Sequence, residues 1–566
     1  RLQGMFQLPG LEPLAKGPCH IVPVNITYYP LRARENALSR LSELFLADAS
    51  PRLKEEILTE GSMLLSGVDI DIRFGTAIDP STYLTSREVE ADIASTASYG
   101  FDDQLPSLPE MKRQANRLVQ RCMSSIYDLT TVNHDHLFAS LLRAYPFLSI
   151  NEDDFRRRVF LLATQCLQET TCHLHQSLRT GQVPLLTDDR YHKYREFSEL
   201  AIEKGVALRR DGALVKDRSK FSAPFEMQRA RIDNPIGVIA NEVLPLTTLQ
   251  REVHLMAWHP AWLVRRRVAA LLEEQALDEY REDYATFFRE GESKGAEVGA
   301  PALLVGSSRA IGVVLVHGLL SVPAQMMELA RYLQGKGVWV YLVRLKGHGT
   351  SPEDLARRGG GDWVASVDLG YALMSSICDR VVVGGFSFGG GVALDCAGRI
   401  CKVAGVFAVC PPQRLLDVSS RFAPAVTVWN RVMDVFSYQW AKKEFVESVP
   451  ERPELNYARI PIAALRAMER FMAELEPRLA AIGTPALVLQ AEGDPVVDPR
   501  GSQRLFEMLG STRKDYRRFP LERHGILAGE GAGEVHAAVW EFIEGIMKGG
   551  AEAPKVVAVQ EITEAK

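Results

Sequence analysis

Ser387 stands in Gly385-Phe386-Ser387-Phe388-Gly389, after the β-branched run Arg380-Val381-Val382-Val383-Gly384 and before the helix-forming run Val392-Ala393-Leu394-Asp395-Cys396-Ala397. Strand, sharp turn and helix are the context in which Gly-x-Ser-x-Gly exposes a nucleophilic hydroxyl; without it the pentapeptide is a common turn. Small residues two before and two after the serine let strand and helix pass close together. The N-terminus of the following helix then lies beneath the hydroxyl and favours negative charge developing there.

A serine at neutral pH needs a base, and the base needs an orienting carboxylate. With the nucleophile on a strand-to-helix turn, the expected chain order is serine, acid, histidine. The strand Ala486–Gln490 runs into Ala491-Glu492-Gly493-Asp494-Pro495-Val496-Val497-Asp498. Asp494, directly off the strand, is the expected acid. Asp498 reads as a helix cap before Pro499 and is the alternative acid, with Glu492 behind it. The loop Leu521-Glu522-Arg523-His524-Gly525 presents His524 where the base belongs. His348, in Arg344-Leu345-Lys346-Gly347-His348-Gly349-Thr350-Ser351, follows the wrong strand for that task and, like His317, is expected to buttress a loop. His536 falls in the closing helix and is expected to face solvent. A carbonyl oxygen turning anionic needs two N–H donors. Phe388, just after the serine, supplies one; the loop His317-Gly318-Leu319-Leu320 supplies the other, from the backbone of Leu319.

These groups require a frame that gathers them at one edge. Ile311–Val316, Val338–Val343, 381–384, 403–409, 486–490 and 515–519 read as strands. Helices at 324–334, 363–376, 388–398 and 535–547 fall between and after them. Repeated βα units give an α/β class with a mostly parallel sheet, and functional groups belong at its strand C-terminal ends. Residues 411–482 are too long for a plain connection. Phe422, Val426, Trp429, Val432, Phe436, Trp440 and Phe445 there recur at mostly three- or four-residue spacing, either as the packed face of cap helices or as an apolar wall for an acyl chain.

Residues 311–548 resemble the α/β-hydrolase superfamily, nearest to the bacterial carboxylesterase and monoacylglycerol lipase group. The resemblance rests on His317-Gly318, Gly347-His348-Gly349-Thr350-Ser351, Gly385-Phe386-Ser387-Phe388-Gly389, Gly493-Asp494-Pro495-Val496-Val497 and His524-Gly525, in that order. It implies a serine ester hydrolase acting on small-molecule acyl esters or lipids. Ser387 is then the nucleophile, Asp494 the acid, His524 the base, and Leu319 and Phe388 the oxyanion donors; no cofactor and no metal are implied. One departure is Ser321, where the family often has glycine.

Before residue 300 the chemistry thins out. Ile21–Tyr29 and Val68–Phe74 alternate like strands, the second half-buried, with a helix-like stretch Arg32–Phe45 between them. The block 18–74 is similar to the downstream part of a glycerol-phosphate (glycerolipid) acyltransferase. The matching pieces are Ile21-Val22-Pro23-Val24-Asn25-Ile26-Thr27-Tyr28-Tyr29 and Val68-Asp69-Ile70-Asp71-Ile72-Arg73-Phe74-Gly75. None of the 12 histidines has an aspartate five positions on, so that family's His-x4-Asp motif is absent. The chain therefore reads as the later part of a longer product whose upstream sequence would carry any acyltransferase site, a bifunctional alternative to the hydrolase alone. Residues 85–290 are rich in helical signals, with Asn151 or Asp153 as a cap. Asn234–Glu242 adds a weaker likeness to the same family's helical extension. His134-Asp135-His136 and His173-Leu174-His175 are weak metal patterns without a third ligand at defined spacing. Arg265-Arg266-Arg267 and Glu273-Glu274 read as a solvated helical face, with a basic patch for anionic lipid as the sharper alternative.

The expected organisation is an acyltransferase-like fragment over 1–84, a helical region over 85–290, a linker or first edge strands over 291–310, a hydrolase domain over 311–548 and a tail over 549–566. The 566 residues suit several folded units. A net charge of −5 offers no basic field for nucleic acid. Eight cysteines without a CxxC pair read as reduced intracellular thiols. The expected location is cytoplasmic, with a peripheral contact at the membrane's inner face as the alternative.

Overall fold

The computed structural model describes residues 19–30, 68–84, 86–96, 104–167, 171–222, 233–413 and 444–549. The expected helix Arg32–Phe45, the run Phe422 to Trp440 and residues 550–566 lie outside them. The chain divides into two compact units, Arg1–Leu185 with Tyr191–Ala261, and Leu186–Arg190 with Trp262–Lys566.

The second unit is built on a seven-stranded sheet: β1 (Ala302–Leu304), β2 (Ser308–Val316), β3 (Val338–Val343), β4 (Arg380–Phe386), β5 (Gly405–Val409), β6 (Ala486–Ala491) and β7 (Lys514–Phe519). The spatial order is β7-β6-β5-β4-β2-β3-β1. All neighbours run parallel except β1, which pairs antiparallel with β3, so residues 302–304 join the sheet as an edge strand. The interior strands carry unbroken apolar runs because helices cover both faces; Val313, Leu315, Val382, Phe407, Leu487 and Leu489 are all buried.

Helix Ala261–Phe287 leads into this unit and fixes the loops around its sheet. Arg265 donates to the carbonyls of Ser376, Ile377 and Cys378, capping the end of helix Gly360–Ile377 and pairing with Asp379. Asp283 bridges Arg344 at 2.6 Å and Arg358 at 2.9 Å, and Glu279 holds Lys346 at 2.9 Å. The loop following β3 is thus tied to a helix that precedes β1.

In the first unit Val24–Tyr29 pairs antiparallel with Asp69–Phe74, in the register Ile26↔Ile72. The expected burial of the second strand is inverted: Ile70, Ile72 and Phe74 are exposed. The polar side faces inward because it carries hydrogen bonds, from Asn25 to the Ile126 carbonyl, from Arg73 to Thr131, and from the Thr131 amide to Thr27. Asn151 caps helix Glu152–Leu161 through the Asp153 and Asp154 amides. The two histidine pairs sit in a polar cluster: His134 contacts Gln182 at 2.7 Å, His136 contacts Glu242 at 3.0 Å, and His175 contacts Ser177 at 2.9 Å and Asp69 at 3.2 Å. Burial pushes the His134 pKa down to about 4, so it sits there neutral. Among the described residues no helix is long and apolar enough to cross a membrane.

Candidate active site

Ser387 lies between β4 and helix Phe388–Arg399 at φ 53° and ψ −125°. A side chain rarely adopts that backbone, and the surroundings enforce it. A Cβ on Gly385 would come within 2.1 Å of the Gly389 carbonyl oxygen, and one on Gly389 within 2.4 Å of the carbonyls of Val316 and His317. Only glycine lets strand and helix cross this closely. The Ser387 amide donates to the Val409 carbonyl at 2.7 Å, which pins the turn to β5. Phe388 is buried edge-on against Trp363 and Phe471 and anchors the first turn of the helix. Its N–H belongs to that first turn, where amides have no intrahelical acceptor.

Asp494 follows β6 on a tight turn. Its Oδ1 accepts from the amides of Val496 at 2.8 Å and Val497 at 3.0 Å. Its Oδ2 accepts from His524 Nδ1 at 2.7 Å and Gln490 Nε2 at 3.1 Å. Burial alone would raise its pKa, but His524 and the Val497 and Val496 amides outweigh burial and hold it below the usual carboxylate value. Asp498 instead caps helix Pro499–Met508 through the Arg500 amide, and Glu492 is half exposed beside Arg518. The His524 ring packs tilted against Phe386, the residue before the serine, with centroids 4.7 Å apart. Ser387, His524, Leu319 and Val496 line one cavity of about 320 Å³. Among the described residues no hydrogen bond joins the serine hydroxyl to the imidazole, a looseness frequent in a resting site.

The loop after β2 is held from several sides. Gly318 N donates to Gln325 Oε1 at 2.9 Å, leaving Leu319 as the next amide on the cavity wall. Leu320 takes φ 69°, and its carbonyl accepts from the Tyr457 amide at 3.0 Å. Ser321, the departure from the usual glycine, is fully buried with an unsatisfied Oγ. His317 Nε2 accepts from the Leu345 amide at 3.2 Å, and His348 contacts the Leu345 carbonyl at 3.1 Å, so both histidines buttress loops as expected. His536 is a correction. It is buried, contacting the Leu527 carbonyl at 2.9 Å and packing against Tyr332, because that side of the closing helix lies against the Leu527 loop and helix Met327–Gly335.

Two contributors escaped the sequence reading, Gln490 and Tyr457, as did Cys410 behind the site. Gln490 and Cys410 had a signal, a polar or thiol group at the C-terminal end of a strand buried on both faces, where each must find a partner. Tyr457 had none, since it reaches the site from the far end of the insertion after β5. Its hydroxyl donates to the Gly347 carbonyl at 3.0 Å and accepts from the Thr350 amide at 2.9 Å. In Tyr457→Phe that buried amide and carbonyl lose their partner. We expect a loss of about 1–3 kcal/mol, read as a lower denaturant midpoint at unchanged m-value.

An elbow serine, a carboxylate off a later strand and a histidine on the last loop of a parallel sheet define an α/β hydrolase. Residues 306–531 match the family described as serine aminopeptidase, S33. A thermostable monoacylglycerol lipase of Bacillus sp. (strain H-257) is 32% identical over 220 residues, 38% of this chain and 82% of that protein, which shows that the chain belongs to this α/β-hydrolase family. A carboxylesterase of Bacillus subtilis (strain 168) is 25% identical over 236 residues, 41% of this chain and 92% of that protein. Among solved structures, a Paleococcus ferrophilus monoacylglycerol lipase aligns at a TM-score of 0.37 and 24% identity, over 44% of this chain and 98% of that one.

Proposed function

We propose that the second unit hydrolyses carboxylic esters, with an acyl group on the apolar side of the cavity and a polar alcohol beside Glu451 and Asn456. What carries the reading is the 2.7 Å bond from His524 Nδ1 to Asp494 Oδ2. It keeps the proton on Nδ1 and leaves a lone pair on Nε2, toward the cavity that Ser387 also lines. His524 takes the Ser387 proton as Oγ bonds to the ester carbon. The amides of Leu319 and Phe388 hold the oxyanion. His524 then protonates the departing alcohol, leaving an acyl-Ser387. Water, deprotonated by His524, attacks that acyl carbon and returns Ser387 with a free acid.

The lining supports an amphipathic substrate: Ile460, Leu465 and Met468 are apolar, while Glu451, Arg452 and Asn456 are polar. The two curated relatives are named for monoacylglycerol and carboxylic ester substrates. A panel of short-chain esters, long-chain esters and monoacylglycerol is expected to show a clear chain-length dependence favouring acyl glycerol. A flat response defeats the lipid half of the reading, and no turnover of any ester defeats the whole.

Gln490 is a positioning residue in this scheme. Gln490→Leu leaves Asp494 Oδ2 with His524 alone, and we expect kcat to fall roughly ten- to hundredfold at unchanged KM.

A second reading places the hydrolase beside a glycerolipid acyltransferase. It is favoured by the antiparallel pairing of Val24–Tyr29 with Asp69–Phe74, the two segments that carry that resemblance. An intact His-x4-Asp motif elsewhere in the same polypeptide decides it. Peripheral attachment to the inner face of the membrane belongs to the same reading, and co-sedimentation of the full chain with anionic vesicles checks it.

A further inference from the structure

Behind the Asp494–His524 pair lies a ligand-type group that ester hydrolysis does not use. Cys410 follows β5, fully buried, with φ 49°. Its amide donates to the Leu489 carbonyl at 2.8 Å, and the preceding carbonyl, Val409, accepts the Ser387 amide at 2.7 Å. The residue is therefore fixed to the elbow on one side and to β6 on the other. One ligand atom each from Cys410, Asp494 and His524 lie within 4.8 Å of one another.

We propose that Cys410 Sγ, an Asp494 carboxylate oxygen and His524 Nδ1 bind a thiophilic divalent cation, Zn²⁺ fitting best, and that its occupancy switches the hydrolase off. The binding half stands on geometry alone; the switch rests on the proposed ester hydrolysis.

The donor set selects the metal. Sulfur, imidazole nitrogen and a single carboxylate suit Zn²⁺, whereas Mg²⁺ and Ca²⁺ take oxygen ligands. Tetrahedral zinc, with bonds of about 2.0–2.3 Å, sets its ligand atoms roughly 3.3–3.7 Å apart. To reach that spacing His524 Nδ1 and Asp494 Oδ2, now 2.7 Å apart, must open by about half an ångström or more, and the atoms lying up to 4.8 Å apart must close by roughly 1.5 Å.

Charge and protons balance. Burial and the neighbouring Asp494 carboxylate push the Cys410 thiol well above its ordinary value, so it stays protonated and unreactive by itself. Binding expels the thiol proton, while the imidazole keeps its single proton by moving it from Nδ1 to Nε2, so one proton is released in all. Zn²⁺ with one thiolate and one carboxylate is then neutral, which suits a buried position. With the metal on Nδ1, the imidazole must carry its proton on Nε2. The nitrogen that should accept from Ser387 is then a donor, and hydrolysis stops although nothing obstructs the cavity.

The test uses the full chain titrated with Zn²⁺ against a chromophoric chelator, in wild type and in Ser387→Ala so that turnover plays no part. Both are expected to bind one equivalent that Cys410→Ser and Cys410→Ala each weaken at least a hundredfold. Because Cys410 is buried, His524→Ala, at a cavity-lining position, is the second variant and is expected to show the same loss. Binding should release about one proton per zinc in weak buffer, and Mg²⁺ should not compete. Zinc binding that survives in Cys410→Ala and His524→Ala, or no binding by wild type, overturns the site. In the activity arm, Zn²⁺ should inhibit wild type with the same midpoint, reversed by chelator, and leave Cys410→Ser at its own zinc-free rate. Equal inhibition of Cys410→Ser overturns the switch. Absence of ester hydrolysis removes the activity arm with the function reading, while the binding arm still decides the site.

Discussion

Ser387→Ala is expected to lower kcat on a nitrophenyl ester roughly 10⁴- to 10⁶-fold while the protein remains folded. In the proposed mechanism the oxygen removed is the one that bonds to the ester carbon, and no neighbouring group replaces it. What survives is the contribution of the oxyanion amides and of substrate binding. Stability should hardly move, because alanine at φ 53° carries the same backbone strain as serine. Ser387→Gly separates the two effects. It is equally inactive, yet glycine accepts this backbone freely, so it should be more stable than wild type by about 1 kcal/mol. Melting curves beside initial rates measure both. Activity within tenfold of wild type in either variant removes Ser387 as the nucleophile.

How much of this was legible beforehand differs between the units. In the second unit every expected strand is found, because a strand buried on both faces must be continuously apolar and the runs at 311–316, 338–343 and 486–490 admit no other reading. The elbow was legible for a steric reason: Gly385 and Gly389 are the glycines that the crossing of strand and helix demands. The layer behind Asp494 was harder, since a glutamine or cysteine ending an apolar strand does not announce which distant loop it meets. His536 misled because a histidine in an amphipathic helix gives no sign that the Leu527 carbonyl will be waiting for it. Arg265 misled in the opposite direction: three consecutive arginines look like surface charge, and one of them caps another helix. In the first unit the strand periods were correct, but not the side that faces inward. Period alone fixes which residues share a face, and the inward choice was made by hydrogen bonds that Asn25 and Arg73 donate and Thr27 accepts, with partners 101, 58 and 104 positions away.

Asp494→Asn should be nearly as damaging as loss of the serine, through a proton in the wrong place. Asp494 Oδ1 is held by the Val496 and Val497 amides. An asparagine must keep its carbonyl oxygen there, because its NH₂ would face two N–H groups. The NH₂ then takes the position of Oδ2, opposite His524 Nδ1 and Gln490 Nε2, both of which now donate to that oxygen. The imidazole relieves the clash by moving its proton to Nε2, the nitrogen that must accept from Ser387. We expect kcat to drop about 10⁴-fold, with KM little changed because the cavity is unaltered. The same substitution has a signature in stability. Asp494 has its folded-state pKa depressed, so its ionised form contributes stability that is fully present above the unfolded value of about 4 and is lost as pH falls through the folded value. Asparagine has no such term. The gap in denaturant midpoint between wild type and Asp494→Asn should therefore be constant near neutrality and shrink as the solution is acidified below about pH 4. A variant retaining more than a tenth of wild-type kcat, or a gap independent of pH down to acid unfolding, would falsify the role assigned to this carboxylate.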